Sequence, residues 1–198
     1  MTFTAGFIDE ATAVLQRLDQ TAVEECVAGL AAVRDRGGRL FILGVGGSAG
    51  HASHAVNDFR KLCDFEAYSP TDNVSELTAR INDEGWETVF AAWLRGSRLD
   101  HRDGVLVFSV GGGDRARGVS TNLVKAMELA RDEGASVFAV VGRDGGFAAE
   151  VADACVVIPP LYPEHVTPLT EGLCAVIWHL LVSHPSLART PTKWETLR

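Results

Sequence analysis

His54 and Asp58 stand four residues apart, and Glu171 and His179 eight apart, in stretches whose apolar spacing reads as helix, so each pair shares a helix face. Two imidazoles and two carboxylates from two helices suit a divalent metal such as zinc, and equally suit a paired general acid and base. Each also has a plainer reading: His179 as a satisfied core residue on the apolar helix Ala175–Val182, Asp58 as a surface carboxylate paired with Lys61. Just ahead of His54 runs GVGGSAG, Gly44 to Gly50, behind the apolar run Leu40–Leu43. A glycine-rich turn from strand into helix gathers backbone N–H groups and the positive end of the helix dipole, which suits a phosphate. A second loop of this kind follows Val105–Phe108, from Ser109 through Gly111-Gly112-Gly113, Arg115 and Arg117 to Ser120. Serine hydroxyls and amides grip phosphate oxygens, and arginine adds a charge-assisted fork.

The glycines admit two competitors. Gly44-x-Gly46-x-x-Ala49 satisfies a loose dinucleotide fingerprint with Glu66 about 20 residues on. A long helical preface and a second serine-glycine loop argue against a nucleotide, and no G-K-[ST] ending marks a P-loop. In the plainer reading these glycines only make tight strand-to-helix turns.

The elements that would position these residues alternate along the chain. Aliphatic runs at Leu40–Leu43, Gly104–Phe108, Ser136–Val141 and Ala154–Ile158, with a further short strand at Phe65–Tyr68, do not alternate with polar residues, as parallel strands covered on both faces do not. Helical stretches fall at Ala49–Lys61, Val74–Asn82, Glu87–Leu94, Val119–Glu133, Phe147–Val151 and Pro168–His184. Residues Phe7 to Asp35 form one long helix or two, the break near Gln20-Thr21 with Thr21 as cap. The series predicts a doubly wound α/β sheet with ligands at the carboxyl ends of the strands. No repeat or linker divides the 198 residues, so the expectation is one domain: a helical assembly region over about 1–36, a sheet core over 37–185 and a tail over 186–198. A net charge of −8 argues against nucleic acid or an anionic membrane surface as partner. The four cysteines, with no C-x-x-C pair, read as reduced, mostly buried small hydrophobes of a cytoplasmic protein. The start MTFTAGFIDE lacks the basic and apolar regions of a leader, and no apolar run is read as approaching the ~20 residues that span a bilayer.

GVGGSAGHASHAVNDF, TDNVSELTARINDEGW, the FSVGGG loop with VSTN, VVGRDGG and TEGLCAVIWHLL together resemble the sugar isomerase (SIS) domain, and more closely the phosphoheptose isomerases. The likeness runs from about residue 5 to residue 185. It implies a five-stranded parallel sheet flanked by helices, a homotetramer with active sites between subunits, and conversion of sedoheptulose 7-phosphate to D-glycero-D-manno-heptose 7-phosphate. It implies a phosphate cradle at Ser48, Ser109 and Ser120 with the amides of Gly46-Gly47, and a zinc ligand at His54. It also places the family's glutamate on Asp58, its glutamine ligand on Glu171 and its catalytic histidine on His179, so the ligand set becomes His54, Asp58, Glu171 and His179. The segment Gly112–Gly118 is longer than the family's compact turn, which brings Arg115 and Arg117 toward the phosphate and leaves the register of Ser120 open.

Isomerising a ketose phosphate needs a base at C1, an acid at C2 and a group that steadies the enediolate. His179, Glu171 and Asp58 supply the catalytic set, the base falling on Glu171 or His179 with a slight preference for His179. Thr78, Asn82 and Asp83 match a part of the family beside the sugar, Asp83 being the one suited to a hydroxyl. His51 either points at substrate or faces solvent, His165 sits in a loop able to close over the pocket, and Arg143-Asp144-Gly145-Gly146 reads as a structural turn. The alternative is a non-catalytic member of the fold that binds sugar phosphates or partner proteins. A pure binder has no need of the acid/base set.

Overall fold

The computed structural model describes residues 2–197. Two helices lead, α1 (Phe3–Gln16) and α2 (Gln20–Asp35). Asp19, not Thr21, caps the second: its carboxylate accepts from the N–H groups of Thr21 at 2.9 Å and Ala22 at 3.4 Å. A charged acceptor at the positive end of the helix outcompetes the hydroxyl two residues later.

Strands β1 (Leu40–Leu43), β2 (Ala67–Tyr68), β3 (Gly104–Ser109), β4 (Ser136–Val141) and β5 (Ala154–Val157) form one all-parallel sheet in the order β2-β1-β3-β4-β5. Five helices follow within the wound part, α3 (Gly47–Cys63), α4 (Val74–Glu84), α5 (Val89–Gly96), α6 (Thr121–Asp132) and α7 (Gly146–Val151). The last two are α8 (Val166–Ser183) and a short α9 (Lys193–Thr196) in the tail, which the sequence pattern did not foretell. Every residue of β1 and β3 is buried, and alternate side chains feed two cores. Leu40, Ile42, Leu106 and Phe108 pack under α2, α3 and α8, whereas Phe41, Leu43, Val105 and Val107 pack under α5, α6 and α7. That two-sided burial is why the strands read as unbroken apolar runs.

The chain leaves β1 for β2 on one side and returns to β3 on the other, so the loops after β1 and β3 meet at a topological switch point. Those are the two serine-glycine loops. The stretch Pro163–Ser183 has a mean hydropathy of 1.4 over a bilayer-spanning window, long and apolar enough to cross a membrane, which corrects the expectation that no such run exists. Thr, Glu, Gly and His interrupt it to the eye, but the Leu, Val and Ile around them keep the average high. In the fold it is a core helix: Leu173, Ile177, Trp178 and Leu181 are buried between the sheet and α3. The tail begins tied down, with the Arg34 guanidinium donating to the carbonyls of Leu187 at 2.8 Å and Ser186 at 3.0 Å.

Candidate active site

Helices α3 and α8 lie side by side and run in the same direction, because Gly47 meets Glu171 at one end and Asp58 meets His179 two to three turns further on. The two ends have different chemistry. At the amino ends lies a cavity of about 630 Å³ lined by Ser48, Ser109, Ser120 and Glu171. Gly46, beside the cavity-lining Val45, has φ +62°, a conformation open to glycine, and turns the chain from β1 into α3. Gly47 must also be small, since a Cβ there would stand 2.8 Å from Oε1 of Glu171. Among the described residues no side chain caps α3 or α6, so an anion in the cavity can serve their leading N–H groups. Ser109 Oγ accepts from the N–H of Gly112 at 3.1 Å and holds the second loop in place.

The register of Ser120 is settled by a small antiparallel bridge. Asp114 and Val119 exchange backbone hydrogen bonds of 2.9 and 3.0 Å, which extrudes Arg115, Ala116, Arg117 and Gly118 as a tip and returns Ser120 to the head of α6. Both tip arginines line the cavity, each with a carboxylate partner: Arg115 Nε donates to Glu128 at 2.8 Å and lies 4.2 Å over the Phe147 ring, while Arg117 stands 3.6 Å from Asp114.

Toward the carboxyl ends of the two helices, His54, Asp58 and His179 bring one ligand atom each to within 4.8 Å of one another. Asp58 Oδ2 lies 3.9 Å from Nε2 of His54 and 3.8 Å from Nε2 of His179, and not against Lys61. The buried indole of Trp178 stacks on His179 with centroids 3.5 Å apart and meets His54 edge-on at 4.7 Å. Nδ1 of His179 is 2.7 Å from the Ala175 carbonyl, which can only accept, so Nδ1 carries the proton and Nε2 keeps its lone pair. A neutral imidazole oriented by a backbone carbonyl is the donor that zinc and similar ions take, and the three residues fit a divalent metal on that ground.

Glu171 is not in this group. Eight residues separate it from His179, about 12 Å along the axis, and its carboxylate faces Gly47 and the serine cavity. Sharing a helix face did not mean sharing a centre. Two further expectations fall away from the site within this chain. His51 lines neither the cavity nor the metal group, and Asp83 is exposed on α4, accepting from Asn82 Nδ2 at 2.8 Å. His165 does not swing over the pocket: its Nδ1 is 2.6 Å from Oε2 of Glu10, and Phe3 and Phe7 pack edge-on against its ring. Arg143, read as part of a structural turn, lines the cavity. Its signal was available, because a charged residue just past a strand's carboxyl end belongs where ligands gather.

Burial pushes the thiols of Cys26 and Cys174 up to about 12 and those of Cys63 and Cys155 to about 11, and all four cysteines are free.

No family model matches the chain. A lincomycin biosynthesis protein of Streptomyces lincolnensis is 36% identical over 159 residues, 75% of this chain and 56% of that protein, so the chain spans little more than half of that relative's length. A phosphoheptose isomerase of Rhodospirillum rubrum is 30% identical over 165 residues, 81% of this chain and 82% of its own. The solved phosphoheptose isomerase GmhA of Neisseria gonorrhoeae superposes with a TM-score of 0.76 at 24% identity, covering 90% of this chain and 94% of its own. The serine cavity, the helix pair and the five-stranded sheet thus sit in a chain that belongs to the phosphoheptose isomerase family, the sugar-phosphate isomerases of the SIS fold.

Proposed function

We propose that the protein converts sedoheptulose 7-phosphate to D-glycero-D-manno-heptose 7-phosphate. The observation that carries this reading is the arrangement of two chemistries on one helix pair: an anion cradle at the amino ends and a histidine-carboxylate group further along. The cavity of about 630 Å³ holds both the serine loops and Glu171, room for a sugar phosphate with its phosphate at the serines and its C1 end toward Glu171. Ser48, Ser109, Ser120 and the amides of Gly46-Gly47 anchor the phosphate and so orient the chain. The lone pair on Nε2 of His179 faces the metal group with Asp58, and His179 does not line the cavity, so the base falls on Glu171, whose carboxylate does. Glu171 removes the C1 proton and returns it to C2 as the enediol collapses to the aldehyde, while polar groups around the two oxygens exchange their protons. His54, Asp58 and His179 would hold a divalent metal, zinc being the ion that best suits this set, and such an ion would add positive charge to the shared face of α3 and α8.

We further propose a homo-oligomer, a tetramer by likeness to the family, because α1 leaves Phe3, Ile8 and Leu15 exposed and α8 leaves Val176 and Leu180 exposed beside His179. Free thiols, three of the four buried, suit a cytoplasmic protein. The test incubates the purified protein in deuterated water with ketose phosphates of five, six and seven carbons. Aldose formation with deuterium entering the sugar is expected with the heptulose. Binding without exchange across the panel would leave the non-catalytic reading instead.

A further inference from the structure

We propose that Arg143 neutralises the substrate's phosphate and sets the preference for phosphorylated over free sugars, an inference that rests on the isomerase reading above. The cradle is short of positive charge. Glu171 places a carboxylate against Gly47, at the same helix end that receives the phosphate, and the chain as a whole carries a net charge of −8. An incoming phosphate dianion therefore meets a like charge in a half-enclosed cavity, where repulsion is weakly screened. Arg115 and Arg117 cannot answer it without giving up Glu128 and Asp114. Among the described residues Arg143 enters no ion pair and no side-chain hydrogen bond, and it lines the cavity between the two serine loops.

The backbone fixes Arg143 in that wall. Gly142 donates to the carbonyls of Ser109 at 3.3 Å and Val110 at 3.1 Å, and Phe147 and Ala148 donate to Gly113 at 2.9 Å and Gly112 at 3.0 Å. The turn bearing Arg143 is thereby stitched to the phosphate loop on both sides. On its other flank Thr170 of α8 presses so close to Gly142 that a Cβ there would meet its hydroxyl at 2.3 Å, one residue before Glu171. Arg143 itself is held at φ +53°, a left-handed conformation that glycine adopts freely and arginine does not. A residue serving only the turn would be glycine. Strain kept at a cavity wall points to a use for the side chain.

That strain separates the two roles experimentally. Arg143→Gly relieves the backbone and removes the whole side chain, whereas Arg143→Gln keeps its stem and removes the charge. Calorimetric titration of sedoheptulose 7-phosphate and of inorganic phosphate into wild type, Arg143→Gly, Arg143→Gln and Arg143→Lys is the experiment, with melting temperature and steady-state kinetics in parallel. The expected result is a melting temperature at or above wild type for Arg143→Gly, affinity for both ligands down about tenfold, and KM raised by the same factor with kcat little changed, the scale of one lost charge-assisted hydrogen bond. Arg143→Gln should match the glycine variant and Arg143→Lys should recover part of the loss. Wild-type affinity and KM in Arg143→Gln overturn the inference whatever the glycine variant's stability, and so does wild-type protein that binds neither ligand. Failure of the isomerase reading shows separately, as wild-type protein that binds the heptulose phosphate without exchanging its C1 proton.

Discussion

Gly47→Ala puts the close approach of α3 to Glu171 to work as a probe of the base. The new methyl would stand 2.8 Å from Oε1, 3.1 Å from Cδ and 3.2 Å from Oε2 of Glu171, all inside van der Waals contact. What yields is the end of a flexible side chain and not the backbone, so Glu171 swings aside at about 0.5–1.5 kcal/mol if it leaves its rotamer. Against that, alanine in a helix is favoured over glycine by up to about 1 kcal/mol. The two nearly cancel, and at about 2–4 °C per kcal/mol the melting temperature should stay within a few degrees of wild type. Activity should not survive so well. A catalytic group displaced by about 1 Å costs on the order of 10²-fold, so kcat should fall between about ten- and a hundredfold. Steady-state kinetics and differential scanning calorimetry on Gly47→Ala, Glu171→Gln and the double variant complete a cycle. If the methyl acts through Glu171, it adds little once the carboxylate has gone. Equal losses of kcat from Gly47→Ala in both backgrounds would refute the reasoning, and so would unchanged kcat in the single variant.

Other outcomes follow from the same geometry. Ser48→Ala should raise KM chiefly, by the roughly 1.5–3 kcal/mol of a hydrogen bond to a charged group, whereas Ser109→Ala should also lower stability because its hydroxyl holds Gly112. Protein purified without chelator should contain about one divalent metal per chain by elemental analysis. His54→Ala should lose it, Asp58→Glu should keep it, and His179→Ala should lose the metal together with at least about 10²-fold in kcat. Native protein should resist thiol reagents at pH 8 and show four reactive thiols once unfolded. The raised thiol values also mean that the unfolded chain releases protons first, so stability should decline as pH climbs above about 9, which melting curves against pH would show. Light scattering should find an oligomer at micromolar concentration that Ile8→Asp weakens, since Ile8 is 57% exposed on α1.

The strands were legible because burial on both faces leaves an unbroken apolar run, and Leu40–Leu43 and Ser136–Val141 coincide with the observed β1 and β4. The cavity was legible because serine and glycine loops at adjacent strand ends have few other uses. Glu171 was misplaced because periodicity gives the face of a helix and says nothing of height along it, which takes the partner helix to decide. Arg143 was missed because turn chemistry explained its neighbours, Gly145 at φ +85° and Gly146 at φ +51°, well enough to hide a charged residue among them. His165 was taken for a loop residue since its partner, Glu10, lies 155 positions away, a contact no local pattern reveals.

The two-bond bridge between Asp114 and Val119 separates the tip from the cradle it overlooks. Ser109 is fixed by β3 and Ser120 by the head of α6, so residues 115–118 can be shortened, lengthened or exchanged without moving either. The entropy of closing a surface loop grows only slowly with its length, and such changes cost the fold little. Evolution thus has a place to alter the rim of this cavity while keeping its floor. A sugar of different length, or one carrying a different substituent, can be admitted by rewriting four residues rather than rebuilding a site.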